Sequence, residues 1–203
     1  MRTHVLMPTL AVLLAAWLPT AAPAKALVVK RCLSQAEAGK QVLTNGGLEE
    51  VEGGRIVGVT PWDKGYEVDT TVARSGKVSA RTTITDVGGG QRGLTYPVAL
   101  NQGKPVPFTA ELWSKAQDVS GAPDSNYSLY LDLEYMDGTP LWGQTSPFKA
   151  GTHDWQKRTV VVTPAKPIKS VSVHGIFRGR TGTAWFDDFR FWEVRLPGGV
   201  QQF

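Results

Sequence analysis

The chain has 203 residues, with 22 Lys and Arg against 18 Asp and Glu and a single Cys. Once the leader described below is removed, its net charge lies close to zero. Nucleic-acid binding depends on Lys and Arg side chains that neutralise phosphates, so this composition predicts no nucleic-acid partner. One cysteine cannot form an internal disulfide, so the core must hold the fold alone or with a metal ion.

The first 26 residues are predicted to be a secretory signal peptide. Arg2 and His4 precede an apolar stretch over residues 5–18 that is too short to cross a bilayer. Small residues at 22–26 then offer A-x-A cleavage sites, and we expect the mature chain to begin near Leu27. The protein is therefore expected to be secreted, either extracellular or periplasmic, and no later segment predicts a membrane span.

Residues 27–40 are expected to form a short tether that contains Cys32, for which the sequence indicates no role. From Gln41 onward, runs rich in Val, Thr, Tyr, Phe and Trp alternate with turn signals such as Asn45-Gly46-Gly47. Short, evenly spaced strands without a convincing helix predict an all-β fold, a two-sheet antiparallel sandwich. The domain is predicted to span 41–195, with a tail at 196–203.

Three predicted strands, at residues 108–115, 127–135 and 170–178, alternate clearly between apolar and polar positions. Side chains two residues apart lie on the same face of a strand, so each of the three has one core face and one polar face. If the three strands share one sheet, their polar faces form one surface. That surface comprises Glu111, Trp113, Tyr130, Asp132, Glu134, His174 and Arg178.

An aromatic and polar surface of this kind suits a sugar ligand. A pyranose stacks its C–H face on an aromatic ring, and its hydroxyl groups bind carboxylates, amides and cations around the ring. Trp142, in the loop that follows the Tyr130 strand, either clamps a ligand at the rim or caps the core. Trp62 and Trp155 are interpreted as structural. Since single exposed aromatics are common, a surface without a ligand remains the alternative.

Asp132 and Glu134 also raise the possibility of catalysis. Alternate residues of a strand lie roughly 6.6 Å apart, close to the carboxylate separation of inverting glycosidases. This pattern leaves open a small glycosidase or polysaccharide lyase. The sequence contains no nucleophile elbow, phosphate-binding loop or zinc-protease motif.

Four segments resemble, in chain order, those of the galactose-binding-like jelly rolls. They are LTNGGLEE (43–50), ARSGKVSARTTI (73–84), GTHDWQKRTVVV (151–162) and TAWFDDFRFWE (183–193). The resemblance is particularly to carbohydrate-binding module families four, nine and twenty-two. It implies a two-sheet jelly roll whose concave sheet binds glycans through exposed aromatic side chains.

The same resemblance implies a structural calcium ion near the join of the first and last strands. Its ligands are expected to be the carboxylates of Glu49 and Asp187 and backbone carbonyls from around Ser75 to Lys77. Oxygen atoms alone suit calcium.

The two adjacent aspartates of the last strand are expected to face opposite ways. If the strand is regular, Asp187 points inward and Asp188 points outward without a special partner. The inward face then comprises Trp185, Asp187, Phe189 and Phe191.

The sequence thus predicts a secreted, non-catalytic carbohydrate-binding module that docks a polysaccharide or oligosaccharide on Trp113 and Tyr130. Modules of the families it resembles are often attached to a carbohydrate-active enzyme, so this one is expected either to act alone or to have a separate carbohydrate-active enzyme as its partner. Two alternatives stay open: an enzyme that uses Asp132 and Glu134, and a cell-surface structural or adhesion module with no glycan site.

Overall fold

The computed structural model describes residues 41–194, which form β-strands and no helix. The strands are β1 (Val51–Glu52), β2 (Arg55–Ile56), β3 (Thr60–Pro61), β4 (Glu67–Asp69), β5 (Ser79–Ile84), β6 (Gln91–Ala99), β7 (Phe108–Val119), β8 (Tyr127–Tyr135), β9 (Pro140–Pro147), β10 (Gly151–Val162), β11 (Ile168–Arg178) and β12 (Gly182–Glu193). The predicted signal peptide, the tether with Cys32 and the tail at 196–203 lie outside the described residues. Within 41–194, no helix is long and apolar enough to span a membrane.

Two five-stranded antiparallel sheets pack against each other. The first sheet has the order β10-β7-β12-β5-β4 and the second sheet the order β3-β6-β11-β8-β9, while β1 and β2 form a separate short ribbon. One hydrophobic cluster draws side chains from both sheets. The prediction of an all-β, two-sheet antiparallel sandwich is confirmed.

The alternation within strands was predicted correctly for three strands. Their core-facing side chains are buried as expected: Phe108, Ala110 and Leu112 on β7, Tyr127, Leu129, Leu131, Leu133 and Tyr135 on β8, and Val171, Val173 and Phe177 on β11. The intervening polar residues face away from the core, because successive side chains of a strand point to opposite faces.

The three strands do not share one sheet, so the condition for a single surface formed by all three is not met. Strand β7 pairs with β10 and β12 in the first sheet, whereas β8 and β11 are neighbours in the second sheet. Glu111 and Trp113 therefore lie on the opposite outer face of the sandwich from Tyr130. Alternation along a strand reveals which side chains share a face, but it carries no information about the sheet that the strand joins.

An aromatic cluster between the sheets centres on Tyr127 of β8. Its ring centroid lies 5.0 Å from that of Phe148, 5.6 Å from that of Phe177 and 6.1 Å from that of Phe186. The Tyr127 hydroxyl also lies 2.7 Å from Oγ of Ser114 on the first sheet, and both residues are buried. Burial raises the pKa of Tyr127. The phenol thus stays neutral and joins the two sheets by packing and by a hydrogen bond.

A β-bulge interrupts β12 at its two aspartates. Asp187 pairs with Trp113 and Arg190 pairs with Glu111, so β12 carries one more residue than β7 over this interval. Asp188 takes up the extra length with a φ of 51°. Because of this extra residue, the core-facing positions change parity, from Ala184 and Phe186 before the bulge to Phe189 and Phe191 after it.

The expected orientation of the aspartates was therefore wrong. Asp187 does not share the core face with Phe189 and Phe191, since the bulge lies between them. Asp188 does not point freely outward: it is 8% exposed and pairs with the Arg74 guanidinium. The expectation assumed a regular strand, and a bulge shifts the alternation by one position.

Gly175 of β11 makes room for this core. A Cβ atom added to it would lie 2.9 Å from the Phe186 ring and 3.0 Å from Leu94. We expect Gly175→Ala to lower the free energy of unfolding by about 1–3 kcal/mol, since overpacking forces neighbouring side chains to shift. Urea unfolding monitored by tryptophan fluorescence measures this change.

Gly103→Ala is the matched control, because an added Cβ atom there meets nothing within 4 Å. It should change stability by less than about 0.5 kcal/mol. Equal effects of the two substitutions would contradict the assigned packing of Gly175 against Phe186.

Candidate functional site

Two aromatic rings flank an arginine on the outer face of the second sheet. Arg178 ends β11, Tyr130 lies on the neighbouring β8, and Trp62 follows β3 on the other side of β11. The Arg178 Cζ atom lies 5.7 Å from the centroid of each ring. Both distances fall within the range of a cation–π contact.

His174 lies between these rings. It pairs directly with Tyr130 across the strands, and its ring centroid is 6.0 Å from that of Tyr130 and 6.4 Å from that of Trp62. Its Nδ1 atom lies 2.8 Å from Oγ1 of Thr95 on β6. Within residues 41–194, its buried Nε2 atom has no hydrogen-bond partner, and the closest carboxylate oxygen, Oδ2 of Asp132, is 3.7 Å away.

Burial lowers the pKa of His174, and the nearby Asp132 carboxylate opposes that shift only in part. The imidazole is therefore neutral at pH 7. Asp132 also accepts a hydrogen bond from the N–H of Gly143 on β9, at 3.0 Å. We call Trp62, Tyr130, Asp132, His174 and Arg178 the Arg178 face.

The Arg178 face combines apolar rings with hydrogen-bonding groups of both kinds. The rings offer surfaces on which a sugar C–H face can stack. Arg178 donates hydrogen bonds and Asp132 accepts them. The His174 ring is buried beside them, with Nδ1 bonded to Thr95. Such a surface suits a ligand that has both apolar faces and many hydroxyl groups.

The structure separates the remaining predicted residues of the second sheet from this cluster. Glu134 lies two positions beyond Asp132 on β8 and forms an ion pair of 2.9 Å with Lys169. Trp142 lies on the edge strand β9 with a relative exposure of 64%. It does not cap the core, and a role at the rim stays a prediction.

Trp113 and Glu111 occupy the other side of the sandwich. The Arg74 guanidinium lies over the Trp113 ring at 3.7 Å from its centroid, and Glu111 pairs with Lys157 at 2.8 Å. The Arg74 side chain therefore covers one face of this ring. The grouping of Trp113 and Glu111 with Tyr130 was therefore wrong.

Trp62 is the residue that the sequence analysis missed. It was interpreted as structural. Its ring packs over β6, where a Cβ atom added to Gly93 would lie 3.4 Å from it, and it also lies beside the Arg178 guanidinium. Its main-chain N–H also donates to the Gly93 carbonyl at 3.0 Å. The strand β3 that precedes it has only two residues, so alternation gave no signal for its sheet or its face.

The predicted calcium ligands converge on one loop. Asp187 accepts hydrogen bonds from the N–H groups of Arg74 and Ser75 at 2.8 and 3.3 Å. Glu49 accepts from Lys77 and from Val78, the latter at 3.1 Å. Burial raises the pKa of Asp187 to about 7, although these N–H groups counteract the rise.

This loop meets the carboxylates through N–H groups, whereas the resemblance implies that its carbonyl oxygens face a calcium ion. Within 41–194, no group of three or more His, Cys, Asp or Glu residues is placed to hold a metal ion. The carboxylates of Glu49 and Asp187 do lie against the loop that the resemblance implies. A calcium ion there would have to displace some of these donors, and the site stays a prediction.

Known structures share this fold. The xylan-binding family 22 carbohydrate-binding module of Paenibacillus barcinonensis Xyn10C superposes with a TM-score of 0.56 at 18% identity, covering 80% of this chain and 99% of the module. A family 61 module in complex with β-1,4-galactotriose gives a TM-score of 0.51 at 12% identity over 76% of this chain and 99% of the module. The described residues thus have the jelly-roll fold of carbohydrate-binding modules, as the resemblance implied.

A third structure, the enzymatically active domain of bacteriophage CBA120 tailspike protein 4, gives a TM-score of 0.58 at 10% identity. It covers 76% of this chain and 21% of that chain. The same fold thus also occurs within a larger chain that is described as an enzymatically active domain.

The sequence relatives come from Bacillus. The tRNA nuclease WapA of Bacillus subtilis strain 168 is 33% identical over 137 residues, and the tRNA3(Ser)-specific nuclease WapA of Bacillus spizizenii is 32% identical over 136 residues. Each match covers 65% of this chain, and the chain spans about 6% of the length of these curated relatives. No protein-family model matches the chain.

The lowered pKa of His174 makes stability depend on pH. The unfolded state binds a proton on this imidazole below about pH 6.5, whereas the folded state resists protonation, so acidification favours unfolding. His174 thus lowers the free energy of unfolding as the pH drops below about 6.5, whereas the raised pKa of Asp187 acts in the opposite direction. We expect wild type to lose stability relative to His174→Gln on acidification, so the two should differ in the slope of stability against pH. Urea unfolding at a series of pH values measures it.

The same substitution at His153 is the matched control and should keep the slope, because His174 is still present. A slope that is equally steep in wild type and in His174→Gln would contradict the burial of a neutral imidazole at this position.

Proposed function

We propose that this protein binds a glycan chain on the Arg178 face without cleaving it. The observation that carries the proposal is the placement of Trp62 and Tyr130, both half-buried, on either side of Arg178 on one outer sheet surface. The fold supports it, since solved structures that share the fold include a xylan-binding module and a module in complex with β-1,4-galactotriose. A shared fold does not determine function, so the proposal depends on the side chains of the Arg178 face.

Stacking supplies the apolar part of this binding. Trp62 and Tyr130 lie on opposite sides of β11, and a glycan that reaches both rings crosses above Arg178 and His174. Arg178 then donates hydrogen bonds to the sugar hydroxyls, and Asp132 accepts hydrogen bonds from them. Ring stacking tolerates many pyranoses, so the polar groups select among them.

Secretion follows from the predicted signal peptide, and we retain it as part of the proposal. A glycan outside the cell is reached by a secreted module. A separate carbohydrate-active enzyme that acts on the same glycan is likewise a proposed partner, because a module that only binds the glycan would leave its cleavage to another protein.

Substitution of the stacking rings tests the proposal. We expect Trp62→Ala and Tyr130→Ala each to weaken glycan affinity at least tenfold, about 1.4 kcal/mol, since truncating an aromatic anchor removes its contact area. Isothermal titration calorimetry against a panel that includes xylan and β-1,4-galactan measures the affinity, and thermal melting checks the fold.

Trp113→Ala is the control, because Trp113 lies on the other outer face beneath Arg74. It should leave glycan affinity unchanged while it lowers stability modestly. Loss of binding in Trp113→Ala alone would contradict the assigned face. Absence of binding to every glycan would favour a structural or adhesion module instead.

The enzymatic alternative depends on Asp132 and Glu134. Their neighbours argue against it, because Glu134 is 40% exposed and pairs with Lys169, whereas a general acid needs a desolvated carboxyl group. Release of reducing sugars during the same binding experiments, lost in Glu134→Gln, would establish this alternative and replace the non-catalytic proposal.

A second candidate function comes from the Bacillus relatives, which are named tRNA nucleases. The match at 33% identity favours a common origin of the aligned segments, but this chain spans about 6% of that relative. Acidic and basic residues nearly balance over 41–194, which gives little electrostatic support for a polyanionic substrate. Incubation with tRNA decides the matter: cleavage seen on a gel would favour the nuclease candidate.

We further propose the calcium ion that the resemblance implies, held by the Glu49 and Asp187 carboxylates near the loop of Ser75 and Lys77. Its expected role is to join the first segment of the domain to β12. After treatment with EDTA, added CaCl₂ should raise the melting temperature, because a ligand that binds only the folded state stabilises it.

Glu49→Gln should abolish this response, and Glu50→Gln, its exposed neighbour, should keep it. A melting temperature that does not change with calcium would leave the main-chain N–H groups as the only partners of these carboxylates and end the calcium proposal.

A further inference from the structure

Arg178 is held in place at the centre of the Arg178 face. Its Nε atom donates to Oδ1 of Asn126 at 3.0 Å, and its main-chain N–H donates to the Asn126 carbonyl at 2.9 Å. With Nε bound to Asn126, the guanidinium has a fixed orientation between the rings of Trp62 and Tyr130. Its two terminal nitrogens remain to be satisfied.

No carboxylate of residues 41–194 forms an ion pair with Arg178, and its terminal nitrogens make no hydrogen bond to this part of the chain. Three other arginines of the domain do have acidic partners: Arg74 pairs with Asp188, Arg81 with Glu67 and Asp69, and Arg180 with Asp124. The charge of Arg178 is thus balanced by ring faces and one amide oxygen alone.

The acidic side chains on the same sheet surface are engaged elsewhere. Asp132 accepts the N–H of Gly143 and lies on the far side of the His174 ring, and Glu134 pairs with Lys169. The neutral His174 adds no positive charge that would need an internal acid. The surface between Trp62 and Tyr130 therefore presents one half-buried, uncompensated positive charge in a fixed orientation.

The two terminal nitrogens of Arg178 form one free edge of a planar guanidinium, and such an edge binds a carboxylate through two parallel hydrogen bonds. A hydroxyl group forms a single, weaker bond with the same donors. We propose that the glycan is acidic and that Arg178 binds the carboxylate of a uronic acid residue while Trp62 and Tyr130 stack neighbouring sugar rings. This inference rests on the proposed glycan-binding function and specifies its substrate class.

Chemical reduction of the carboxyl groups provides the test. Glucuronoxylan and the same polymer with its carboxyl groups reduced to primary alcohols have the same backbone and differ in charge. We expect the full-length protein to bind the acidic polymer about 10- to 100-fold more tightly in calorimetry, as a charge-assisted bidentate contact implies. Raising the salt concentration should narrow the difference.

Substitution then assigns the effect to Arg178. In Arg178→Gln, glucuronoxylan and the reduced polymer should bind with equal affinity, so that the preference of wild type for the acidic polymer is lost. Arg190→Gln removes the same charge from an exposed position on β12 of the first sheet and should bind both polymers as wild type does.

The outcomes separate the two proposals. Equal affinity of wild type for the acidic and reduced polymers overturns the carboxylate assignment and leaves glycan binding standing. Equally tight binding of dextran sulfate also overturns it, since charge alone would then explain affinity. Binding of neither xylan nor galactan nor the acidic polymer overturns both proposals together.

Discussion

The contact that the rest of the fold depends on is the one that Tyr127 makes across the sandwich. Its ring packs against Phe148 and Phe177 of its own side and against Phe186 of the opposite sheet, and its hydroxyl meets Ser114 on β7. Ser114 in turn donates to the Trp185 carbonyl at 2.6 Å, so one short chain of hydrogen bonds links β8, β7 and β12. A buried polar group with both its partners in place fixes the relative position of the sheets more sharply than apolar packing alone.

The geometry of the candidate site depends on this core. Tyr127 of β8 pairs directly with Phe177 of β11. Asn126 precedes Tyr127 and Arg178 follows Phe177, and the side chains of these two neighbours form a hydrogen bond. The inner pair thus sets the spacing of the outer pair. Further along the same two strands, Tyr130 and His174 are again direct partners. The orientation of Arg178 is consequently a property of the folded sandwich rather than of a flexible loop.

The sequence sufficed where one strand carried its own signal. Alternation placed Tyr130 and Asp132 on the outer face of β8 and His174 and Arg178 on that of β11, and all four meet in the structure. The four ordered motifs indicated the jelly roll, which the structural comparisons confirm as a fold.

The features that the sequence did not reveal depend on long-range pairing or on an irregular backbone. Trp113 was grouped with Tyr130 because the alternation of β7 resembles that of β8, but pairing with β10 and β12 carries it to the other sheet. Trp62 follows a strand of two residues, too short to show a period. Asp188 lies in a bulge, which no alternation predicts.

That bulge gives the two aspartates a role that is independent of their charge. They supply the extra residue that lets Phe186 before them and Phe189 after them face the same core. Deletion of either aspartate would turn Phe189 and Phe191 to solvent and bring Arg190 into the interior. The length of β12 at this point is therefore constrained as strictly as its composition, and a missing residue would do more harm here than a changed one.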